Sequence, residues 1–565
     1  MNKSFALKMC VYFRVFVLAL AVPAMAQADL NEKLSFQPGG AGTPDKCGFP
    51  VVLEAAASGD VSVQALLKQR RSQHLQQNYQ TYLSPLGRFR IHYLTAGPNA
   101  IPTYDRNQNG VSDYLEFVAK SFDRAWEVEI DSLGFNAPPD SAGLPHTVYS
   151  VYCKRINAYG ITWFSDPLPA PPGVLRYDSY IEINTDFSFV TYPDITNDPI
   201  VRDSLAIAVT AAHEFNHALQ LGYRLWISGS NFVDLWFIEG SATYMEEVVA
   251  DRVNDYYYYL PCMYSSTDVN LTQNNPCNRI YGEVALPIML GEVYGKTITR
   301  EVWEAILNQP ALGSLSLILQ QKGSSLNAEM RRWATWMFFS GQNAVAGQFY
   351  PEAAKYPDPE VIAANPVSLS QNPNQVAYVG ALPPLAFQFL KIPVTATAGV
   401  LALLDPEQNP ASWEASQLYF SEPYSETIAA GIPGEVVFTP PAEDLYLAVI
   451  SGSWNGGNNA PADDYQIALQ GTGEVSGSEV LVGPNPVRTG GENARVLFLN
   501  LPREARIEIF NANGVRVKSI LPESSGQIAY WDLRSSQNEL VGSGVYIYRI
   551  VSPEKSQSGK IMVIR

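Results

Sequence analysis

Between residues 205 and 221 apolar positions recur at helical period, with Leu205-Ala206-Ile207-Ala208-Val209 at one end and Ala218-Leu219 at the other. The pattern predicts a mostly buried helix, N-capped by Asp203-Ser204 and stopped at Gly222. Two further runs, 116–126 and 236–247, follow the same period. Strict alternation marks 89–94, 147–152 and 180–184 as strands. The spacing of Trp303, Ile306, Leu307, Met330, Trp333, Trp336 and Met337 makes 300–345 helical, as the lower half of a cleft.

Outside that region the pattern changes twice. Residues 29–85 are polar and weakly patterned, with one helix expected over 61–71; the stretch is either a pro-segment or an arm packed on the next domain. The Pro-rich stretch 351–376 reads as a linker. Short apolar runs such as Val400-Leu401-Ala402-Leu403-Leu404 predict a β-sandwich over 377–475. A last module, 480–565, begins on the turn Gly483-Pro484-Asn485-Pro486 and carries strand patterns at 505–510 and 544–550. The expected fold class is therefore an α+β domain over 86–350 followed by two all-β modules.

Composition narrows the setting. Charged residues are only 16%, while Gly and Pro number 40 each and Tyr 31, which suits a loop-rich exported protein. The net charge of −17, with no basic stripe, excludes nucleic acid as a partner. Residues 1–28 have the form of a signal peptide: Lys3, Lys8 and Arg14, an apolar core at 15–22, then Ala24-Met25-Ala26. No later stretch is long and apolar enough to cross a bilayer. Cys10 leaves with the signal, and an even set remains, Cys47, Cys153, Cys262 and Cys277. In an exported chain that set predicts two disulfides, Cys262–Cys277 across a short polar loop and Cys47–Cys153 by remainder.

The buried helix carries the chemistry, His213-Glu214-Phe215-Asn216-His217. Helix residues i and i+4 lie about 40° apart and about 6 Å along the axis, so both imidazoles can bind one Zn²⁺. Glu214 can then serve as general base on the zinc-bound water. A catalytic zinc needs a third protein ligand. The chain has five histidines and none follows His217, so the candidates are Glu239, Glu246, Glu247 and Asp251. Glu239 is preferred: it follows Leu235-Trp236-Phe237-Ile238, which would bury it, and Gly240 permits close backbone approach. Glu246, two turns on, suits a role orienting a ligand.

A second metal pattern runs from Asp105 to Glu116 and matches D-x-[DN]-x-[DN]-G-x₅-E. It offers Asp105, Asn107, Asn109, the Val111 carbonyl, Asp113 and Glu116 to Ca²⁺, with Gly110 at the sharp turn. No paired second loop occurs, so a structural calcium is expected.

The stretch His213-Glu214-Phe215-Asn216-His217, followed by Trp236-Phe237-Ile238-Glu239-Gly240-Ser241-Ala242-Thr243-Tyr244-Met245-Glu246, resembles the gluzincin pattern H-E-x-x-H…W-x-x-E-G-x-A-x-Y-x-E. With the calcium-like loop and the segments at 281–282 and 290–295, the chain over 86–345 resembles bacterial secreted gluzincin-type zinc metalloproteases. The resemblance implies a zincin-like metallopeptidase domain with zinc on His213, His217 and Glu239, and Glu214 as base. It also places a tyrosine, Tyr281, where an oxyanion donor is needed. The aminopeptidase exopeptidase motif is absent, so the expected activity is endopeptidase cleavage of proteins or peptides. The last module resembles the Ig-like C-terminal sorting domain of type IX secretion substrates, which implies an export-machinery partner and a secreted or outer-surface location in a Gram-negative-type bacterium. The alternative expectation is a cell-surface adhesion protein with a degenerate site that binds through its β-modules.

Overall fold

The computed structural model describes residues 45–57, 69, 77–168, 175–228, 231–273, 277–368, 374–394, 398–404, 413–420, 425–429, 434–437, 444–452, 462–471, 480–483, 485–488, 495–499, 501–502, 504–522, 529–553 and 556–564. The signal-like residues 1–28 and the helix expected over 61–71, Gln69 apart, lie outside them. The chain divides into two compact units, 1–259 with 280–323, and 260–279 with 324–565.

The first unit is built on a six-stranded sheet. Its strands are β1 (Asp45–Cys47), β2 (Gln80–Leu83), β3 (Phe89–Tyr93), β4 (Tyr149–Lys154), β5 (Ala158–Pro167) and β6 (Tyr177–Asn184), in the order β1-β5-β6-β4-β3-β2. The β1–β5, β6–β4 and β4–β3 pairs are parallel; β5–β6 and β3–β2 are antiparallel. Every residue of β6 is buried, as a strand covered on both faces must be.

The helices of this unit include α1 (Phe49–Ala57), α2 (Asp113–Trp126), α3 (Pro199–Gln220) and α4 (Leu235–Ala250). Helix α3 starts earlier than its apolar pattern implies. Asp198 is the N-cap, accepting from Ile200 N, and Pro199 takes the first turn, where a missing N–H costs nothing. Asp203, the expected cap, is an interior residue paired with Arg202. From Leu205 to Gln220 only Ala208 is less than fully buried. Phe215 turns away from the flanking histidines into an aromatic cluster, 5.1 Å from Phe89 and 5.7 Å from Trp126 between ring centroids. That packing fixes the helix's rotation and so aims His213 and His217 at the opposite side.

The expected pairing of Cys47 with Cys153 is wrong. Both are buried free thiols. Cys47 is on β1 and Cys153 on β4, with β5 and β6 between them. Three strand spacings separate the two by about 14 Å, against the roughly 7 Å a disulfide tolerates. The Cys262–Cys277 disulfide is present, in the second unit.

In that second unit a four-stranded and a five-stranded sheet enclose one core that includes Leu390, Leu403, Trp413, Leu447, Tyr465 and Ile467. The two sheets pack face to face as a sandwich. Val361–Ala363, inside the expected linker, is one of its strands, paired parallel with Ala386–Ile392. Three residues were too few to show as a period among the surrounding prolines. A three-stranded and a second five-stranded sheet form the last module around Phe498, Ile507, Trp531 and Ile550. Among the described residues no helix is long and apolar enough to cross a membrane.

Candidate metal centre

Helices α3 and α4 lie against each other and bring three buried side chains to one point. His213 Nε2 and His217 Nε2 are 3.0 Å apart. Glu239 Oε2 is 3.3 Å from His213 Nε2, and Glu239 Oε1 is 3.4 Å from His217 Nε2. Cys47 of β1 joins them, its Sγ 3.4 Å from His217 Nε2. The four ligand atoms all lie within 4.8 Å of one another.

The far sides of both rings decide what faces inward. His213 Nδ1 is 2.8 Å from Glu246 Oε1, a carboxylate that can only accept, so Nδ1 carries the proton. His217 Nδ1 is 2.9 Å from Gln220 Oε1. Gln220 cannot turn its amide round, because its Nε2 donates to Asn216 Oδ1 at 2.7 Å and to the Ile238 carbonyl at 3.0 Å. His217 Nδ1 is therefore a donor too. In neutral rings both Nε2 atoms present lone pairs, toward each other and toward a buried carboxylate to which no hydrogen-bond donor is directed. Lone pairs of two imidazoles and a carboxylate that converge among buried side chains call for a positive charge between them, a proton or a metal ion.

The spacing fits a metal ion. Nitrogen and oxygen ligands about 2.0–2.1 Å from a tetrahedral zinc lie about 3.3–3.4 Å apart, and a thiolate at about 2.3 Å lies about 3.5 Å from them. Without a metal the charge is balanced by a proton. Burial works against it, but hydrogen bonding to Glu239 and Glu246 raises His213 to about 9. Burial likewise opposes ionisation of Glu239, yet the two imidazoles hold it down at about 2.

Glu214 stands beside this set rather than in it. Thr162 Oγ1, on β5, donates to Glu214 Oε2 at 2.7 Å. Glu214 Oε1 is buried with no partner. Gly160 makes the room: a Cβ there would sit 2.5 Å from Glu214 Cγ. Tyr281 is buried, with its ring centroid 6.2 Å from that of His213. Burial first, then the charges of Glu239 and Cys47, push its hydroxyl pKa up, so it stays a donor.

The structure thus brings His213, Glu214, His217, Glu239 and Tyr281 together, with Glu246 behind His213. Thr162 and Cys47 carry no sequence signal and reach the centre from adjacent strands by packing alone, whereas Gln220 lies three residues after His217 on the same helix, a spacing that makes the two neighbours. The 105–116 loop lies elsewhere. Asp105 accepts from Asn109 N and Gly110 N, and Glu116 from the side-chain amides of Asn107 and Asn109. Gly110, at φ +84°, makes the turn. Asp113 accepts from Arg106 N and begins α2.

No family model matches the chain, and no curated protein does. Among solved structures, the chain is similar over 18% of its length to PorZ, an essential bacterial surface component of the type-IX secretion system of Porphyromonas gingivalis, at 28% identity and a TM-score of 0.15. It is similar over 30% of its length to a Ruminococcus gnavus β-glucuronidase, at 11% identity and a TM-score of 0.11. The chain spans 14% and 35% of those proteins' lengths. Neither score carries an argument about the fold.

Proposed function

We propose that the chain is an exported zinc-dependent endopeptidase with a zincin-like domain of the gluzincin type. The observation that carries this reading is the convergence of two Nε2 lone pairs on a buried Glu239 carboxylate that no donor satisfies, beside an equally buried Glu214. A zinc ion held by His213, His217 and Glu239 would supply Lewis acidity toward a water and a peptide carbonyl. Glu214 does the proton work. Thr162 ties down Oε2, leaving Oε1 to take a proton from the attacking water and pass it to the leaving nitrogen. Tyr281 offers its hydroxyl to the oxyanion that forms. Glu246 and Gln220 hold the two rings in register.

Cys47 favours a second reading, a closed four-ligand structural centre. Assays of casein hydrolysis by the purified chain and by its Cys47→Ser variant separate the two. Hydrolysis abolished by a zinc chelator and restored by zinc is the expected result; its absence in both proteins would leave only a structural centre or a surface binding protein.

Export and outer-surface location rest on the signal-like residues 1–28 and on the sorting-domain pattern of the last module. Calcium at 105–116 is supported by four side chains turned into one loop. Calcium in hundredfold excess over its Kd is expected to raise the melting temperature by about 5–10 °C. Calorimetry should show that shift lost in Glu116→Gln; an equal shift in that variant places the calcium elsewhere.

A further inference from the structure

Four consecutive residues, from Lys46 to the first residue of α1, do four separate things at the candidate metal centre. Lys46 is buried, with its ammonium 2.8 Å from Glu246 Oε2 and 2.5 Å from Asp255 Oδ2. Cys47 points its sulfur at the point where His213, His217 and Glu239 meet. Gly48 crosses β5 so closely that a Cβ would sit 2.5 Å from Ile161 Cγ1. Phe49 lays its ring over His217, with centroids 4.3 Å apart and planes at 30°. Its other side meets Phe164 at 5.9 Å.

Strand β1 also occupies a particular edge. It pairs with β5 through Asp45↔Ala158 and Cys47↔Gly160, and Gly48 N donates to the Gly160 carbonyl at 3.0 Å. Strand β5 carries Thr162, which holds Glu214. An extended peptide that added to this edge would pass directly beside Glu214 and the metal ligands, which is how a sheet edge captures a peptide backbone. The chain's own residues are in that place.

We propose that residues 45–57 are a built-in inhibitor of the centre, with β1 standing in the peptide's place and the Cys47 thiolate filling the metal position that a water must occupy. This rests on the reading of the centre as hydrolytic. Two observations separate it from a permanent Cys-His₂-Glu centre. A structural site has no use for Glu214, a second fully buried carboxylate that stands outside the ligand set and is held by Thr162. The segment is also short: β1 has three residues and α1 buries only Phe49, Val52 and Leu53, so its hold on the unit is concentrated in Lys46 to Phe49. On release Cys47 would give up its place among the ligand atoms and take a proton from solvent, leaving His213, His217 and Glu239 to hold the ion with one position open to water.

The test uses the full chain loaded with Co²⁺ or Zn²⁺. Wild type is expected to show a thiolate-to-cobalt charge-transfer band, and Cys47 should be alkylated by iodoacetamide at least about tenfold faster after chelation. Cys47→Ser should lose the band, keep one metal per chain and hydrolyse casein at least about tenfold faster than wild type. Gly48→Ala leaves every metal ligand intact but drives a methyl into Ile161; it should raise both Cys47 alkylation and hydrolysis. No band in wild type, with casein hydrolysed at the same rate by wild type and Cys47→Ser, would overturn the inhibitor and leave the peptidase standing. A band in wild type with no hydrolysis by Cys47→Ser or Gly48→Ala would overturn both, leaving a structural metal centre.

Discussion

Casein hydrolysis should fall by about 10²–10⁴-fold in Glu214→Gln while zinc content stays unchanged, with both measured in the Cys47→Ser background. Gln has the same shape as Glu, so it fits the space that Gly160 leaves. Its amide oxygen can still accept from Thr162 in the position of Oε2. Its nitrogen takes the place of Oε1 and has no lone pair free to receive a proton. A loss of that size is about 3–5 kcal/mol of transition-state stabilisation, far more than a strained side chain would cause. Elemental analysis checks the metal and a peptide-release assay checks the rate. Full hydrolysis in the variant, or loss of zinc from it, would remove Glu214 from the role of base.

Glu239→Ala should act on the metal instead. Mutating a supporting partner of a metal ligand costs about 10–100-fold in affinity, and removing the ligand itself should exceed the upper end of that range. Equilibrium dialysis against a zinc chelator measures it. The same substitution breaks a buried ion pair in the metal-free chain, worth about 3–5 kcal/mol when one partner goes. The metal-free chain also has a definite pH profile. His213, raised to about 9 from an ordinary 6.5, contributes stability fully below 6.5 and loses it as pH rises through about 9. Glu239, lowered to about 2 from 4.5, contributes fully above 4.5 and loses it as pH falls toward about 2. Thermal melts with chelator present should therefore be highest between about pH 4.5 and 6.5, and the peak should flatten in Glu239→Ala. A metal-free chain whose melting temperature climbs steadily from pH 6 to 9 would contradict the ion pair. Zinc competes with the proton on His213, so its affinity should rise over the same alkaline range.

Local periodicity made the frame legible. The i, i+4 histidines, the strands of the sheet's centre and the apolar run before Glu239 each follow from spacing within one element. The absence of any later histidine narrowed the third ligand to a carboxylate. Cysteine parity mispairs Cys47 because it ignores strand order: β5 and β6, which come later in the chain, fold in between it and Cys153. Thr162 was invisible because a threonine in a buried strand is ordinary; only the register of β5 against α3 puts its hydroxyl at Glu214. The apolar pattern puts the start of α3 too late because Asp203-Ser204 has the chemistry of a cap, whereas in the structure Asp203 packs against Tyr104 and Arg202 and Asp198 caps the helix. Val361–Ala363 reads as linker because its partner strand lies beyond the prolines that surround it.

The buried contacts of the centre also carry a timetable. His213 meets Glu246 across 33 positions of chain, whereas Cys47 meets His217 across 170 and Lys46 meets Glu246 across 200. Loop closure over 170 residues costs about 1.5 kcal/mol more than over 33, a small penalty for equilibrium and a larger one for the order of events. Loop-closure entropy therefore favours association of α3 with α4 ahead of docking of the amino-terminal strand, and pulse-labelling hydrogen exchange during refolding is expected to protect α3 and α4 before β1. A chain that acquires its ion early in folding is exposed only until that strand docks, which makes the sequence of assembly, and not the final structure alone, the interval in which the centre stands open.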